Sequence, residues 1–268
     1  MADTRIAVIG CAGRMGRMLV REIVTTEGCS LAGGLARPGT ASLGQDIGEL
    51  AGLRRLGLAV GDDPEQVLRD SDVGIEFTTP AATAEHAGLA ARLGTPLVIG
   101  TTGLEGAEER AVRAAAGRVP IVWAANTSLG VNLLLGLVDE VARRLGPEWD
   151  IEIVEMHHRG KVDAPSGTAL ALGRAAAAAR GVGFDEVAQR GRDGITGPRL
   201  AGAIGFAALR GGDAVGDHHV IFAGAGERLE LTHRATNRGI YSTGAVRAAR
   251  WLVGRPPGLY GMKEVLGL

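Results

Sequence analysis

Aromatic residues are scarce in this chain: three Trp, two Tyr and four Phe among 268 residues. That is too few for the stacked platforms on which single-stranded nucleic-acid binders depend. Net charge is absent as well. With 29 Lys and Arg against 30 Asp and Glu, the formal charge is −1, which leaves no electrostatic footprint for a polyanion. Only two cysteines occur, Cys11 and Cys29, which excludes a disulfide framework and fits a reducing cytoplasm. No apolar run approaches the roughly 20 residues that span a bilayer. The chain enters a strand pattern within its first few residues, so no basic and apolar leader is expected. The expected location is the cytoplasm, with neither nucleic acid nor membrane as partner.

Glycine is abundant instead, with 43 residues spread along the chain, and this points to many turns. Residues 5–10 form a short β-branched apolar run that reads as a buried strand. Gly10-Cys11-Ala12-Gly13-Arg14-Met15-Gly16 follows directly, and a helical pattern then runs to about residue 26. Three glycines so spaced suit a dinucleotide turn: one for the bend, one for close approach to a pyrophosphate, one for helix–strand packing. The helix N-terminus would then face the phosphates. A plain strand-to-helix turn uses glycine in the same way; the position between the first strand and the first helix favours the nucleotide. The second strand, 30–35, runs into Ala36 and Arg37 rather than into the carboxylate that holds an adenosine ribose in NAD-binding folds. A carboxylate there repels a 2′-phosphate, whereas an arginine pairs with it. NADPH is therefore the expected cofactor, with NADH possible; the alternative is that Arg37 is a solvated loop residue.

Residues 41–60 read as a glycine-punctuated loop leading to a short strand. Asp63-Pro64 opens a helix to about residue 69. Strands at 72–77, 96–100 and 120–125 then alternate with helices at 82–93 and 105–116, the pattern of a doubly wound parallel sheet. Thr78-Thr79, Gly100-Thr101-Thr102-Gly103 and Asn126-Thr127-Ser128 fall at strand carboxyl ends, where such sheets bind ligands. Hydroxyl and glycine residues also serve ordinary turns at such places.

A helix over 129–145 and a strand over 149–156 lead to the densest group of chemistry-bearing residues in the chain, from Glu155 and Met156 through His157, His158, Arg159 and Lys161 to Asp163, Ser166, Gly167 and Thr168. His157, His158 and Lys161 offer proton transfer near neutrality and fixed positive charge. Ser166-Gly167-Thr168 precedes an alanine-rich helix over 169–180, whose first amides can hold a carboxylate. The sum is a cationic pocket for a small acidic substrate. The paired histidines lack the further ligands of a metal site, so no metal is expected. Strands at 203–210, 218–223 and 228–236, with no long helix between them, are expected to pair antiparallel in a second sheet. His218-His219 and His233-Arg234 each offer one member to any face and read as peripheral; Arg234 or Arg238 is a candidate for a second carboxylate. A helix over 240–253 and a tail over 262–268 are expected to return to the first domain. The expected architecture is α/β: a Rossmann-like doubly wound parallel sheet over 1–128 with 239–268, and a smaller α+β domain with a mixed sheet over 129–238 for substrate and oligomer contacts.

From end to end the chain resembles the 4-hydroxy-tetrahydrodipicolinate reductase (dihydrodipicolinate reductase) family of bacterial lysine biosynthesis. The resemblance rests on the Gly10–Gly16 turn, Phe77-Thr78-Thr79-Pro80, Gly100-Thr101-Thr102-Gly103 and Asn126-Thr127-Ser128 followed by Gly130-Val131-Asn132. It rests above all on His157-His158-x-x-Lys161-x-Asp163-Ala164-Pro165-Ser166-Gly167-Thr168, and on the later Ile204-Gly205-Phe206, Gly226-Glu227-Arg228-Leu229-Glu230 and Gly244-Ala245-Val246-Arg247. It implies nicotinamide-dependent reduction of a cyclic dicarboxylate to tetrahydrodipicolinate with loss of water. It implies His157 as general acid/base and Lys161 as proton donor, with His158, Lys161, Gly167 and Thr168 on the substrate carboxylates. The implied cofactor site comprises Gly10, Cys11, Ala12, Gly13, Arg14, Met15, Gly16, Arg37, Gly100, Thr101, Thr102, Ala125, Asn126, Thr127 and Ser128. A homotetramer built on the second-domain sheets and hinge closure between domains are implied too. Many members carry an acidic residue where this chain has Ala36, before the arginine that here is Arg37; the departure argues for NADPH.

Overall fold

The computed structural model describes residues 2–268. The chain runs β1 (Thr4–Ile9), α1 (Arg14–Thr25), β2 (Cys29–Leu35), α2 (Ile47–Leu50), β3 (Val60–Gly61), α3 (Pro64–Arg69), β4 (Val73–Glu76), α4 (Pro80–Leu93), β5 (Leu97–Ile99), α5 (Gly106–Ala116), β6 (Pro120–Trp123) and α6 (Leu129–Leu145). It continues with β7 (Asp150–His157), α7 (Gly167–Ala179), α8 (Phe184–Val187), β8 (Ala188–Gln189), β9 (Ile204–Arg210), β10 (Gly216–Gly224), β11 (Glu227–Ala235), α9 (Gly239–Leu252), β12 (Gly258–Tyr260) and α10 (Met262–Leu266). Two compact units result: one runs to Leu129 and resumes over Gly239–Leu268, and the other is Gly130–Arg238. Among the described residues no helix is long and apolar enough to cross a membrane.

The first unit holds a seven-stranded sheet in the order β12-β6-β5-β4-β1-β2-β3, parallel at every pairing. The apolar runs are buried on both faces: Ile6, Val8, Ile75 and Val98 pack with α1 and α9, while Ile9, Leu97, Ile99 and Ile121 pack with α4 and α5. Double burial is what a parallel sheet covered by helices on both sides requires. Strand order reverses between β1 and β4, so a crevice opens beyond their carboxyl ends. The tail does more than return to this unit: β12 adds an edge strand beside β6, a strand too short to stand out from the sequence. Asp63 caps α3 by accepting the amides of Glu65 (2.9 Å) and Gln66 (3.2 Å). In the 41–60 segment, Asp46 accepts the amides of Gly48, Glu49, Leu56 and Gly57. That carboxylate builds a short helix where only a loop was expected.

The second unit carries a five-stranded sheet, β11-β10-β7-β9-β8. It is mixed as expected, with one correction. β9 and β10 are not neighbours: β7 lies between them, parallel to β9 and antiparallel to β10. The link of residues 211–215 therefore crosses over the end of β7, where Gly211 donates its amide to the His157 carbonyl (3.0 Å) and the His158 amide donates to Ala214 (2.8 Å). β7 alternates strictly in burial: Ile151, Ile153, Glu155 and His157 face the helices, while Glu152, Val154 and Met156 face the other way. The core joins Ile151, Ile153, Phe206, Val220 and Phe222 to Leu134 and Val138 of α6 and Leu172 and Ala176 of α7.

Candidate active site

In the first unit the glycine turn sits at the carboxyl end of β1, at the switch point. Gly10 has φ +86°, and a Cβ there would lie 2.6 Å from the Phe77 carbonyl oxygen; one at Gly16 would lie 2.1 Å from the Gly10 carbonyl oxygen. Only glycine permits both the bend and the approach of α1. The α1 N-cap is Gly13, which supplies no side-chain cap, so the positive end of this helix is left to an external anion. Gly13, Arg14, Thr102 and Ala125 are exposed around the sheet end, with Gly10, Ala12, Met15 and Asn126 partly so.

Other residues of the expected cofactor set are turned inward. Cys11 is buried beneath Gly34, and burial pushes its thiol up to about 11. Gly100 packs under the Phe77 ring, and Thr127 donates to the Tyr241 carbonyl (2.7 Å). Ser128 is buried. The Thr101 hydroxyl donates to Glu76 (2.6 Å) and accepts the Thr78 amide (2.9 Å). Glu76, fully buried at the end of β4, also takes hydroxyls from Thr78 and Thr83 and stands 3.5 Å from His86 Nδ1. This network was not legible as such, since its members are scattered over 26 residues. It locks together the turns that follow β4 and β5.

A cavity of about 340 Å³ opens at the ends of β1 and β2, lined by Gly10, Ala36, Arg37, Pro38, Thr78 and His86, with the carboxylates of Asp62 and Glu85 on its wall. Arg37 is exposed and Ala36 buried.

In the second unit the histidine-rich stretch divides between strand, loop and helix. β7 ends on His157, which faces the helices and is 8% exposed. Its Nδ1 lies 2.6 Å from Glu155 Oε2. Glu155 is 1% exposed and is gripped by Arg210 at both oxygens (2.8 and 2.9 Å), and its Oε1 accepts the Ser166 amide (3.1 Å). Burial alone would raise this carboxyl; hydrogen bonds from Arg210, His157 and Ser166 outweigh it and hold the group below the ordinary range. An ionised carboxylate only accepts, so this contact is a hydrogen bond when the imidazole proton is on Nδ1, which leaves Nε2 outside the pair.

Past the strand, Lys161 Nζ donates to both Asp163 oxygens (2.8 and 2.9 Å). The lysine first and foremost holds Asp163 below its ordinary range. Ser166 caps α7, its Oγ accepting the Ala169 amide (3.2 Å), so the helix opens at Gly167 and Thr168, two residues earlier than expected. Gly167 is exposed and its first-turn amide has no acceptor within the helix. His158 is half-buried beside this loop.

The peripheral reading of His218 does not hold. β10 pairs His218 directly with Glu155. Its ring meets that of His157 edge-on with centroids 5.2 Å apart, and its Nε2 shares a hydrogen bond with Ser166 Oγ (3.0 Å). Burial first, then the neighbouring His157, push its pKa down to about 4, so it stays neutral beside the site. Arg234 pairs with Asp217 in the ladder and so takes the opposite face from His218. Among the described residues no group of three or more His, Cys, Asp or Glu is arranged to hold a metal.

A parallel sheet with a glycine turn at its switch point, and a unit that buries a histidine–carboxylate pair beside a helix N-terminus, are the parts of a two-unit nicotinamide-dependent oxidoreductase. Family models described as dihydrodipicolinate reductase, N-terminus and C-terminus, match residues 4–127 and 130–266. The chain belongs to the dihydrodipicolinate reductase family. It is 57% identical over 268 residues to a 4-hydroxy-tetrahydrodipicolinate reductase of Parvibaculum lavamentivorans, covering 100% of this chain and 99% of that one. It is 55% identical over 265 residues to the enzyme of that description from Alkalilimnicola ehrlichii, with 99% of each covered. The solved structure of dipicolinate-bound dihydrodipicolinate reductase from Paenisporosarcina sp. TG-14 superposes with a TM-score of 0.81 at 25% identity, covering 98% of this chain and 100% of that one.

Proposed function

We propose that this chain reduces 4-hydroxy-tetrahydrodipicolinate to tetrahydrodipicolinate with NADPH, in the cytoplasm, on the route to diaminopimelate and lysine. The observation that carries the reading is His157: a buried imidazole fixed at Nδ1 by Glu155, on the strand that feeds the loop of Lys161 and the N-terminus of α7.

The first unit fits a nicotinamide dinucleotide. The glycine turn leaves backbone bare, the first turn of α1 has no side-chain cap, and a cavity of about 340 Å³ adjoins it. Gly10, Ala12, Gly13, Arg14 and Met15 with Thr102, Ala125 and Asn126 would line the site, and the buried Cys11, Gly16, Gly100, Thr101, Thr127 and Ser128 would shape it from below. When bound, the cofactor supplies the hydride. Arg37 lies at the cavity mouth as the partner for a 2′-phosphate, and Ala36 leaves no carboxylate to oppose it.

In the second unit the doubly protonated His157 ring gives its Nε2 proton to the departing hydroxyl and keeps the one on Nδ1, and the hydroxyl leaves as water while the substrate ring carbon gains hydrogen. Lys161, released from Asp163, and His158 bind one substrate carboxylate. Gly167 and Thr168 at the head of α7 receive the other, where the helix dipole favours an anion. The sheet face turned away from the helices carries Val154, Met156, Ile221 and the exposed Ala207 and Leu209 as an apolar strip bordered by Glu152, Asp217 and Glu230, a surface suited to a homotetramer.

A coupled assay tests the reading. Dihydrodipicolinate synthase, pyruvate and aspartate semialdehyde generate the substrate, and NADPH absorbance is followed. Oxidation that depends on the complete mixture is expected; none at micromolar enzyme would defeat the proposal.

A further inference from the structure

Among the described residues Glu155 is the one carboxylate that touches both His157 and the cap of α7. Oε2 meets His157 Nδ1 at 2.6 Å, and Oε1 accepts the amide of Ser166, the residue that caps α7, at 3.1 Å. Arg210, 55 residues along the chain and on β9, closes over both oxygens. Arg210 Nη2 also donates to the Asp163 carbonyl (2.5 Å), so the clamp reaches into the loop between Lys161 and Ser166.

Another carboxylate on the same strand gives a comparison. Glu152 is also held by two arginines, Arg192 and Arg199. It lies on the opposite face, on a part-exposed surface, and touches no titratable ring. Fastening loop to sheet needs no more than that. Glu155 differs in being 1% exposed and in spending one oxygen on an imidazole. Burying a charge is costly unless its partners are complete, and here every partner belongs either to the clamp or to the site.

We propose that Glu155 is a positioning residue for the reduction, which fixes His157 with the proton on Nδ1 and Nε2 toward substrate, and ties that ring to the head of α7 through Ser166. The proposal rests on the reading of His157 as proton donor. His157 meets Glu155 on its own strand and His218 on β10; behind them stand Arg210 of β9 on Glu155 and His233 of β11 opposite His218, with Lys161 and Asp163 in the loop that Arg210 reaches. Arg210 is committed to Glu155 and Lys161 to Asp163, and His218 is neutral above about pH 4. Glu155 is thus the negative group in direct contact with the ring. Removing it leaves Nδ1 without its acceptor, so the ring can turn or change tautomer. In serine hydrolases the corresponding loss of a carboxylate behind a histidine costs about 10⁴ in kcat.

The first experiment needs no variant and no turnover: ¹⁵N-histidine spectra of the full-length protein, with six histidines to assign. Neutral His157 protonated at Nδ1 is expected; protonation at Nε2 overturns the proposal even if the reductase assay succeeds. The second compares Glu155→Gln with Glu152→Gln. For Glu155→Gln we expect kcat to fall about 100-fold, with KM for the dicarboxylate within threefold and NADPH affinity unchanged. The limb of the kcat pH profile that depends on the protonated acid should move to lower pH. Glu152→Gln should leave that profile in place. A Glu155→Gln enzyme with lowered melting temperature but an unmoved profile and kcat within threefold would make the residue structural only, and the proposal false. A wild-type protein that fails the coupled assay would defeat the assigned reaction, while the tautomer spectrum would still decide the role of Glu155.

Discussion

Gly216 faces His157 so closely that a methyl group on its α-carbon would sit 2.9 Å from Nε2. The glycine opens β10 and lies two residues before His218, so the strand that supplies the neutral histidine also leaves room for the His157 ring. Gly216→Ala should displace the ring at an overpacking cost of about 1–3 kcal/mol. The expected result is roughly a tenfold fall in kcat with NADPH affinity unchanged. Wild-type turnover in that variant would show that the ring has room to spare.

Cofactor choice should follow Arg37. A charged hydrogen bond to a 2′-phosphate contributes about 1.5–3 kcal/mol. Arg37→Ala should therefore raise KM for NADPH about 10- to 100-fold and leave KM for NADH nearly unchanged. Asp62, on the same cavity wall, should act in the opposite sense: Asp62→Asn should favour NADPH further. Steady-state kinetics with both cofactors check each; a higher kcat/KM with NADH in the wild type would contradict the assignment.

His218 makes stability depend on pH in a defined window. Its pKa falls from 6.5 to about 4 on folding. Above pH 6.5 both states leave it neutral and the protein keeps its full stability. As pH drops below 6.5 the unfolded chain takes up a proton that the folded one refuses, so stability declines until about pH 4 and then levels. The full effect is about 3 kcal/mol. Urea melts at pH 7.5 and 4.5 should show a smaller difference for His218→Phe than for the wild type. Equal differences would mean that His218 does not carry the effect.

The apolar outer face of the second sheet should be covered in solution. Light scattering is expected to give about four times the 27.6 kDa chain mass, and Leu209→Asp should lower it. A monomer at micromolar concentration would contradict the tetramer.

The parallel sheet could be read from the sequence because β1, β4 and β5 are short apolar runs with β-branched residues that give way to glycine or threonine, as at Gly10, Thr78 and Gly100, and helices return between them. The stretch from His157 to Thr168 was legible because its residues are contiguous. What surrounds it was not. Alternation along β10 correctly allows one of His218 and His219 to face a site, but which one, and which site, depends on pairing with β7. Arg210 becomes the clamp on Glu155 because β9 crosses to the far side of β7, a topology that glycine turns between short strands do not specify. Glu76 and its threonines were hidden for a related reason: hydroxyls from three separate segments meet only once the strand ends are aligned.

The central claim is that His157 carries the proton transfer and takes no part in holding the nucleotide. The direct measurement is kcat and NADPH affinity for His157→Gln, with Lys161→Ala beside it. The account predicts a fall in kcat of about 100-fold or more for each, with NADPH binding within twofold of wild type. Retained turnover, or loss of NADPH binding as the main defect, would contradict it.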